Sequence, residues 1–291
     1  MSPWMRELSG FSATTTTYRV CGSCGTGYFV HIPSDVQLGK LYQDYRGPRY
    51  VSVRKKWERT YTSSLNAQLS SGTSFLAPRR EALESFLNET FPGISADCIG
   101  VVDVGGGEGY LMPSWESIRS RFVLDISGIT SARDIKQIST MSEVGDARIT
   151  LVQFCGVLEH VANPATFVRE TVSWLMGQAK GLVILIEVPA GVPEVRGRYI
   201  ARLPGIGSIT RARALWQTMD RLDASTGALR KQWPLRMGEH LNFFSQDGLQ
   251  ALFERIGVSL RGMRQHEIVG LESKVTVRFE RSWAVAGFLG D

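Results

Sequence analysis

The chain has 291 residues, of which 43% are hydrophobic and 21% are charged, and its formal net charge is +5. This composition is ordinary for a globular protein and excludes a disordered or fibrous one. The first twenty residues contain no apolar core of a secretory signal, and the longest apolar run, Leu182 to Val188, is too short to cross a bilayer. Four cysteines do not form a disulfide framework at this length, so we expect a reduced, cytoplasmic setting. The basic excess favours anionic partners without indicating nucleic acid.

Residues 1–60 are predicted to form a separate N-terminal segment. Residues 1–17 are polar and rich in threonine, and we expect them to be a loose lead-in. Cys21 and Cys24 then form a C-x-x-C-G turn between two short β-like stretches, which is half of a zinc ribbon. A structural zinc site needs four ligands, and His31 is the nearest candidate for a third. Because this ligand set is incomplete, we favour a zinc-ribbon-like turn without metal, with zinc at the cysteine pair as the alternative.

An aromatic and basic stretch follows, from Leu41 to Trp57. Such interleaving can bind an anion or a nucleic acid backbone. We favour the alternative that it is a solvated face whose aromatic residues pack on the next domain. Apolar residues at helical spacing then predict a helix that ends at Pro92 and Gly93.

The most informative stretch joins an apolar run to a cluster of glycines. Val101 to Val104 reads as a buried parallel strand that contains Asp103, and four glycines follow within five residues. Counted from Gly105, the third glycine of a dinucleotide-binding G-x-G-x-x-G loop would fall on Tyr110, so that pattern fails. Counted from Asp103, the sequence reads D-x-G-x-G-x-G, which resembles the first motif of class I methyltransferases that use S-adenosylmethionine (SAM). A tight strand–helix turn without a ligand is the alternative.

A second strand that ends in an acid supports ligand binding at the same edge. Arg121 to Ser127 is predicted as this strand, and it carries Asp125, 20 residues beyond Gly105. A carboxylate there can accept hydrogen bonds from both hydroxyls of an adenosine ribose, whereas the alternative is a helix cap. We expect a short helix between the glycine loop and about Ser120.

The remaining elements continue the alternation of strands and helices. A short third strand is predicted over 133–139, a fourth runs from Ile149 to Gly156, and a fifth runs from Gly181 to Val188. Asn163 caps the helix between the last two. This order predicts an α/β fold, a doubly wound Rossmann-like sheet whose first half spans residues 61–191.

Residues 192–236 follow no strand–helix rhythm and carry nine Arg or Lys residues against three acids. An insertion here would lie at the carboxyl edge of the sheet, so we predict a basic lid over the ligand crevice. Residues 237–291 complete the core, with a helix capped by Ser245 and a terminal antiparallel strand pair.

Two later segments also resemble class I methyltransferases that act on small molecules. Val157 to Pro164 is similar to their V-L-E-H-x-x-x-P segment, and Glu239 to Ser245 is similar to their E-H-x-x-F-F-S segment. The C-x-x-C-G turn with the following Leu41-Tyr42-x-x-Tyr45 is similar to members found with bacterial surface-polysaccharide and sugar-modifying pathways. The resemblance runs from about Tyr18 to Phe288. It departs from the family in lacking a second C-x-x-C and a clear acid in the third strand.

The resemblance implies roles for residues of this chain. SAM would be the cofactor, with Asp125 at its ribose and Ile126 beside its adenine. The loop at its methionine end and the strand along its wall would be formed by Asp103, Gly105, Gly106, Gly107, Glu108 and Gly109, and by Phe154, Cys155 and Gly156.

The implied reaction is methyl transfer to a small-molecule or glycan acceptor, and a hydroxyl acceptor needs a base. His160 is the first candidate and His240 the second, because a neutral imidazole suits that role near neutral pH. The alternatives are that His160 caps a helix and that His240 is structural; Glu159 and Glu187 could orient the acceptor. The basic lid predicts an anionic acceptor.

Two other functions stay open beside this one. The turn after the fourth strand lacks the N-P-P-Y pattern of base methylases, which argues against nucleic acid but leaves an RNA-directed enzyme as an alternative. A catalytically silent methyltransferase fold that serves as a binding or scaffolding subunit is the other. The oligomeric state is not predicted.

Overall fold

The computed structural model describes residues 2–13, 16–58, 61–70, 76–175, 181–191, 239–272 and 275–289. The strands are β1 (Tyr18–Val20), β2 (Gly27–Phe29), β3 (Gly100–Val104), β4 (Ser120–Leu124), β5 (Lys136–Ile138), β6 (Leu151–Cys155), β7 (Leu182–Pro189), β8 (Asn242–Phe243), β9 (Val258–Glu272) and β10 (Val275–Leu289). The helices are α1 (Pro3–Ser9), α2 (Asp35–Tyr42), α3 (Pro48–Trp57), α4 (Ser63–Ser70), α5 (Leu76–Thr90), α6 (Ile94–Asp97), α7 (Pro164–Ser173) and α8 (Gln246–Ile256).

The central sheet has seven strands in the order β5-β4-β3-β6-β7-β10-β9. The first five are parallel, and β10 and β9 close the sheet as an antiparallel pair. This arrangement confirms the predicted fold class, including the short third strand and the terminal pair. The predicted lid, residues 192–236, lies outside the described residues.

Helices cover both faces of the sheet because its strands are apolar on both sides. Val102 and Val104 face a core formed with α7 and α8, whereas Val101 faces a core formed with α5. A residue that is polar in such a strand must therefore be buried, unless it stands at the carboxyl edge where the strands end.

A third core lies in the N-terminal part of the chain. There β1, β2 and β8 form a small antiparallel sheet, so Asn242–Phe243 from the C-terminal half completes the hairpin that carries Cys21 and Cys24. The N–H of Phe29 donates to the carbonyl of Leu241 at 3.1 Å, which extends this junction. The N-terminal hairpin and the Glu-His segment are thus one structural unit.

The expectation that residues 1–17 are a loose lead-in is wrong. The first helix, α1, buries Trp4 against α3, with the Trp4 and Tyr50 ring centroids 5.7 Å apart. The indole N–H of Trp4 donates to Glu58 at 2.7 Å. The helix α1 is short and its neighbouring residues are polar, so the sequence gives little sign of it. Its apolar residues are buried by contacts with α3, which lies about 40 residues later in the chain.

The aromatic and basic stretch from Leu41 to Trp57 is divided between α2 and α3. Tyr50 and Trp57 are buried, but they pack mainly in the N-terminal core with α1 and not on the next domain, as the favoured interpretation had it. Its basic residues are not all solvated, however, because the guanidinium of Arg54 stacks against the ring of Tyr61 at 4.1 Å.

The short helix expected after the glycine loop is absent. Residues 105–119 form turns, held by hydrogen bonds such as the one from Gly109 N–H to the Gly106 carbonyl (2.8 Å). Pro113 lacks the N–H that a helix would need, and it disfavours helical geometry at Met112. The loop therefore meets the ligand edge of the sheet as irregular backbone, without a helix dipole behind it.

The two predicted helix caps are confirmed. Asn163 begins α7, and its side chain accepts from the N–H of Thr166 at 3.1 Å. Ser245 caps α8 in the same way, through the N–H of Gly248 at 2.9 Å. Because Asn163 fills the capping position, the alternative that His160 caps this helix is wrong.

Candidate active site

The carboxyl ends of three neighbouring strands bring polar side chains to one face of the sheet. Since side chains alternate along a strand, Asp103, Gln153, Cys155 and Glu187 all point to the side that α5 covers. The strand register sets Asp103 beside Gln153 and Cys155 beside Glu187. These four residues lie near the carboxyl edge of the sheet, where the predicted ligand loop also lies.

The glycine loop needs glycine for two different reasons. At Gly105, where φ is 70°, a Cβ would lie 2.6 Å from a methyl carbon of Val157, so the loop can pass the end of β6 only without a side chain. At Gly107, where φ is 56°, a Cβ would meet nothing within 4 Å. Gly107 therefore presents bare backbone to open space, as a loop does that must let a ligand approach. Gly106 and Gly109 belong to the same turn.

Asp125 fastens this loop to the end of β4. Its carboxylate accepts from the N–H of Gly107 at 2.8 Å and from the N–H of Ser127 at 2.7 Å. The next residue, Ile126, is 66% exposed, so it presents an apolar side chain at this edge of the sheet. Glu108 continues the loop, and its carboxylate raises the pKa of the neighbouring Tyr110. The structure therefore brings the loop and Asp125 together as the sequence predicts.

Asp103 is a buried carboxyl group without a partner. It is 1% exposed, and neither oxygen has a hydrogen-bond partner among the described residues. Burial raises its pKa to about 7, against the opposing effects of Gln153 and Arg79. Such an orphaned group needs an explanation, and a ligand that brings a hydrogen-bond donor or a cationic amine supplies one.

The predicted wall along β6 is divided between two faces. Phe154 points away from Asp103, and its ring packs against that of Phe167 with centroids 6.1 Å apart. Cys155 and Gly156 lie on the side of the sheet to which Asp103 points, and burial raises the pKa of the Cys155 thiol well above its usual range. Because side chains alternate along β6, Phe154 faces the opposite side.

Arg79 is a polar residue of this edge that the sequence does not reveal. Its Nε–H donates to Glu187 at 3.2 Å and a second N–H also contacts that carboxylate. Burial disfavours the charged guanidinium, but Glu187 outweighs this and raises the pKa of Arg79. A Cβ at Gly156 would lie 3.1 Å from the guanidinium, so the cation sits over the end of β6. The ring of His266 on β9 lies 3.8 Å from Glu187 on the same face.

The two histidines chosen from the sequence lie together. Their ring centroids are 4.9 Å apart, and Nε2 of His160 lies 3.6 Å from Oε1 of Glu159. Glu159, His160 and His240 each have an atom that could bind a metal ion, and these atoms all lie within 4.8 Å of one another. No other such group of three exists among the described residues. The two histidines are 80 positions apart in the sequence, and the fold brings them together after β6.

Burial controls the protonation of this group. Glu159 is 3% exposed, and burial raises its pKa to about 7, although His240 opposes the rise. Burial also lowers the pKa of His160, although Glu239 opposes that shift. Both changes favour the neutral forms, so near neutral pH the pair carries one proton that either partner can hold.

The other ring nitrogen of His160 is held by backbone. Its Nδ1 lies 3.0 Å from the carbonyl oxygen of Glu239 and 3.0 Å from the hydroxyl of Tyr42. A carbonyl oxygen can only accept, so Nδ1 carries the proton, and Nε2 has the free lone pair when the ring is neutral. This is the tautomer that a base directed toward Glu159 needs.

Within the described residues, Cys21 and Cys24 are not joined by further potential metal ligands. All four cysteines and all four histidines of the chain lie in its described part, and no third His, Cys or carboxylate there joins this pair. The pKa of Cys21 is lowered to about 7 by hydrogen bonds from the backbone of Cys24 and Ser23. His31, the candidate third ligand, is not brought to them.

The comparisons with known proteins agree with this geometry. Residues 61–261 match the model of a family described as a methyltransferase domain. The chain belongs to this family. It is a class I enzyme that uses SAM as methyl donor. No curated protein matches its sequence.

The chain is also similar to solved structures, including the following two. Magnesium protoporphyrin IX methyltransferase from Synechocystis is 13% identical, with 87% of this chain and 100% of that chain covered and a TM-score of 0.46. A SAM-dependent methyltransferase from Anabaena variabilis is 12% identical, with 81% and 94% covered and a TM-score of 0.43. No helix in the described part of this methyltransferase is long and apolar enough to span a membrane.

Proposed function

We propose that this methyltransferase acts on a hydroxyl oxygen of an anionic small-molecule or glycan acceptor, and that His160 removes the proton of that hydroxyl. The observation that carries the proposal is the orientation of His160, whose Nδ1–H is engaged by the Glu239 carbonyl. The basic lone pair is therefore on Nε2, at the carboxyl end of β6. SAM supplies a methyl group that is already activated as a sulfonium.

The residues that would hold SAM fit its chemistry. Asp125 already accepts from two backbone N–H groups, and a carboxylate has lone pairs left for ribose hydroxyls. The exposed Ile126 offers an apolar surface to the adenine. Asp103 offers a buried, unpaired carboxyl group to the methionine end, and Gly107 lets the ligand approach the backbone.

The proton path runs within the cluster. Nε2 of His160 would take the proton that the acceptor hydroxyl loses when its oxygen bonds to the methyl group; the bond between that methyl group and the sulfonium sulfur breaks, and its electron pair stays on sulfur. Glu159, with a pKa of about 7 and 3.6 Å away, can then share this proton. His240 packs against the same ring and is the second candidate for the base.

The charge of the acceptor is inferred from the chain that follows β7. Residues 192–236 carry nine basic and three acidic residues, and in this position they would form a basic lid. The cation of Arg79 is already paired with Glu187, so this excess is the main support for an anionic acceptor. A phosphorylated, nucleotide-linked or lipid-linked sugar, or a carboxylated metabolite, meets this requirement.

A transfer assay with radiolabelled methyl groups tests the proposal. The full chain is incubated with labelled SAM and neutral sugars, sugar nucleotides, lipid-linked sugar phosphates, carboxylated metabolites and transfer RNA. We expect label in an anionic sugar or carboxylated metabolite, with the methyl group on oxygen by NMR. The matched controls are His160→Gln, which should lose transfer, and His31→Gln, which should keep it. Label found only in RNA, or only on carbon or nitrogen, would overturn the proposal.

A further inference from the structure

Arg54 is a half-buried cation that packs against aromatic rings of the N-terminal core. Its guanidinium stacks on Trp4 at 4.8 Å and on Tyr61 at 4.1 Å, and its side chain is 22% exposed. One side of the guanidinium pairs with Glu58, four residues along α3, at 2.7 Å. The aromatic rings fix the plane of the group, so it presents its remaining N–H donors in one direction.

Those donors point to Glu239, which lies beside His240 in the chain. Arg54 approaches the Glu239 carboxylate to 3.0 Å, and the hydroxyl of Tyr45 donates to it at 3.2 Å. The hydroxyl of Tyr50 contacts the same carboxylate. Burial alone would raise the pKa of Glu239, but Arg54 and His160 outweigh it and lower the pKa to about 2. Glu239 is therefore a fixed anion that three residues of the N-terminal part hold.

The backbone of this same residue orients the candidate base. The carbonyl of Glu239 accepts from Nδ1 of His160, and the ring of Tyr42 packs against the histidine ring with centroids 5.7 Å apart. Tyr42, Tyr45 and Tyr50 form a continuous row of edge-to-face rings from His160 to Arg54. A movement of Glu239 would therefore change the hydrogen bond between its carbonyl oxygen and Nδ1 of His160.

We propose that Arg54 is a positioning residue of the active site: by clamping the Glu239 carboxylate, it fixes the tautomer and direction of the His160 ring. The N-terminal helices are then a working part of the catalytic centre. This inference rests on the proposed function only for its effect on turnover, because the effect on the ring can be observed directly. Arg54 touches neither acceptor nor cofactor in this scheme; it acts through Glu239.

The competing explanation is that Arg54 only stabilises the N-terminal core. A structural role predicts a lower stability of its variants with an unchanged His160 ring in the molecules that stay folded. A positioning role predicts a changed ring even in folded protein. The two are separated by NMR of histidine side-chain nitrogens, which is practical because the chain has four histidines. The side-chain nitrogen signals that disappear in His160→Gln belong to His160, which assigns them.

The test uses the full chain with ¹⁵N-labelled histidine. Arg54→Met should lower the fraction of His160 that is protonated on Nδ1, while the signals of His31 and His266 stay in place. Its kcat should fall by up to about 100-fold, the loss that a small displacement of a catalytic group can cause, with the Kd for SAM unchanged. Arg54→Lys keeps the positive charge but lacks the planar guanidinium with its fixed N–H donors. It should therefore show more of the His160 Nδ1–H signal and a higher kcat than Arg54→Met, with both below the parent.

Two further variants keep the test decisive. Arg54→Met leaves a buried anion unpaired and can fail to fold, so Arg54→Met/Glu239→Gln removes the charge as well and should still show the altered His160 signals. Lys56→Met is the matched control, because it removes another cation of α3, paired with Glu7 at 2.8 Å. It should leave the ring and kcat unchanged.

Each outcome is decisive. A folded Arg54 variant with parental His160 signals and parental kcat overturns the inference. An altered ring in Arg54→Met, combined with full activity of His160→Gln, supports the positioning of His160 but overturns its role as base. The failure of the inference and the failure of the proposed function are therefore distinguishable.

Discussion

Nε2 of His160 and Oε1 of Glu159 lie 3.6 Å apart, with Glu159 buried and His160 half-buried. Two lone pairs at this distance repel each other unless a proton or a cation lies between them. Burial keeps the imidazole neutral and raises the pKa of Glu159 to about 7, so near neutral pH the carboxyl group gains and loses this proton readily. When Glu159 is ionised, the pair can accept one proton from a substrate.

The first prediction concerns this pair. His160→Gln should lower kcat by about 10²-fold or more, because the acceptor's proton loses its nearest base. Calorimetry should show an unchanged Kd for SAM, since His160 does not belong to the glycine loop. A parallel loss of SAM binding and turnover would instead mean that the ring supports the fold of the site.

The second prediction concerns Asp125. Asp125→Ala should weaken SAM binding by about 1–3 kcal/mol, which is the cost of unmaking charge-assisted hydrogen bonds. Glu143→Ala is the matched control, because the Glu143 carboxylate also accepts from two backbone N–H groups, those of Ser139 and Thr140. Titration calorimetry should show a Kd for SAM that changes in the first variant alone. An equal change in both would assign Asp125 a general role in loop order.

The third prediction is a pH dependence of stability. The pKa of Asp103 is raised from 3.8 to about 7 in the folded chain, so folding disfavours its ionised form. Its carboxyl group is neutral in both states below pH 3.8, and the folded state loses stability as the pH rises from there to about 7. Asp103→Asn should therefore gain stability over the parent across that range, by several kcal/mol, since one pKa unit corresponds to about 1.36 kcal/mol.

Urea unfolding at a series of pH values measures this difference without SAM. Asp97→Asn is the control for the same change at an exposed position. A stability difference between Asp103→Asn and the parent that stays constant over this pH range would show that the Asp103 carboxyl group ionises freely in the folded state.

The fourth prediction concerns the ion pair of Arg79 and Glu187. Arg79→Met should lower the free energy of unfolding by about 3–5 kcal/mol, because it leaves a fully buried carboxylate unpaired. Arg264→Met breaks a comparable pair with Glu89 at an exposed position and should cost less than about 1 kcal/mol. Similar losses in the two variants would mean that Glu187 is solvated or protonated when Arg79 is absent.

Local patterns made the sheet and the glycine loop predictable. The apolar residues from Val101 to Val104 predict a strand, and the glycines that follow up to Gly109 predict a turn at a ligand-binding edge. Asp125, an acid after the next strand, predicts the same edge. Asn163 and Ser245 are caps that depend only on their neighbours. The absent helix after the loop is the exception, because one proline, Pro113, outweighs a general expectation about the fold.

Contacts between distant residues could not be predicted in this way. Nothing near Arg54 in the sequence indicates Glu239, and nothing near Arg79 indicates Glu187. The sequence marks Tyr42 as one aromatic residue among many, and its contact with His160 depends on how α2 docks. Likewise Trp4 forms a core only because α3 returns to cover it. These relationships are tertiary, so periodicity and motif spacing carry no signal for them.

The clamp on Glu239 ties the part of the chain that matches the methyltransferase family to the residues before it. The match begins at residue 61, whereas the three side chains that contact the Glu239 carboxylate, Tyr45, Tyr50 and Arg54, all come before it. Strand β8, which follows Glu239, also pairs with β2 of the N-terminal hairpin. A chain cut back to the matched residues would therefore leave the Glu239 carboxylate without these partners and β8 without its neighbouring strand. We expect a functional version of this enzyme to need the N-terminal residues that the family match omits.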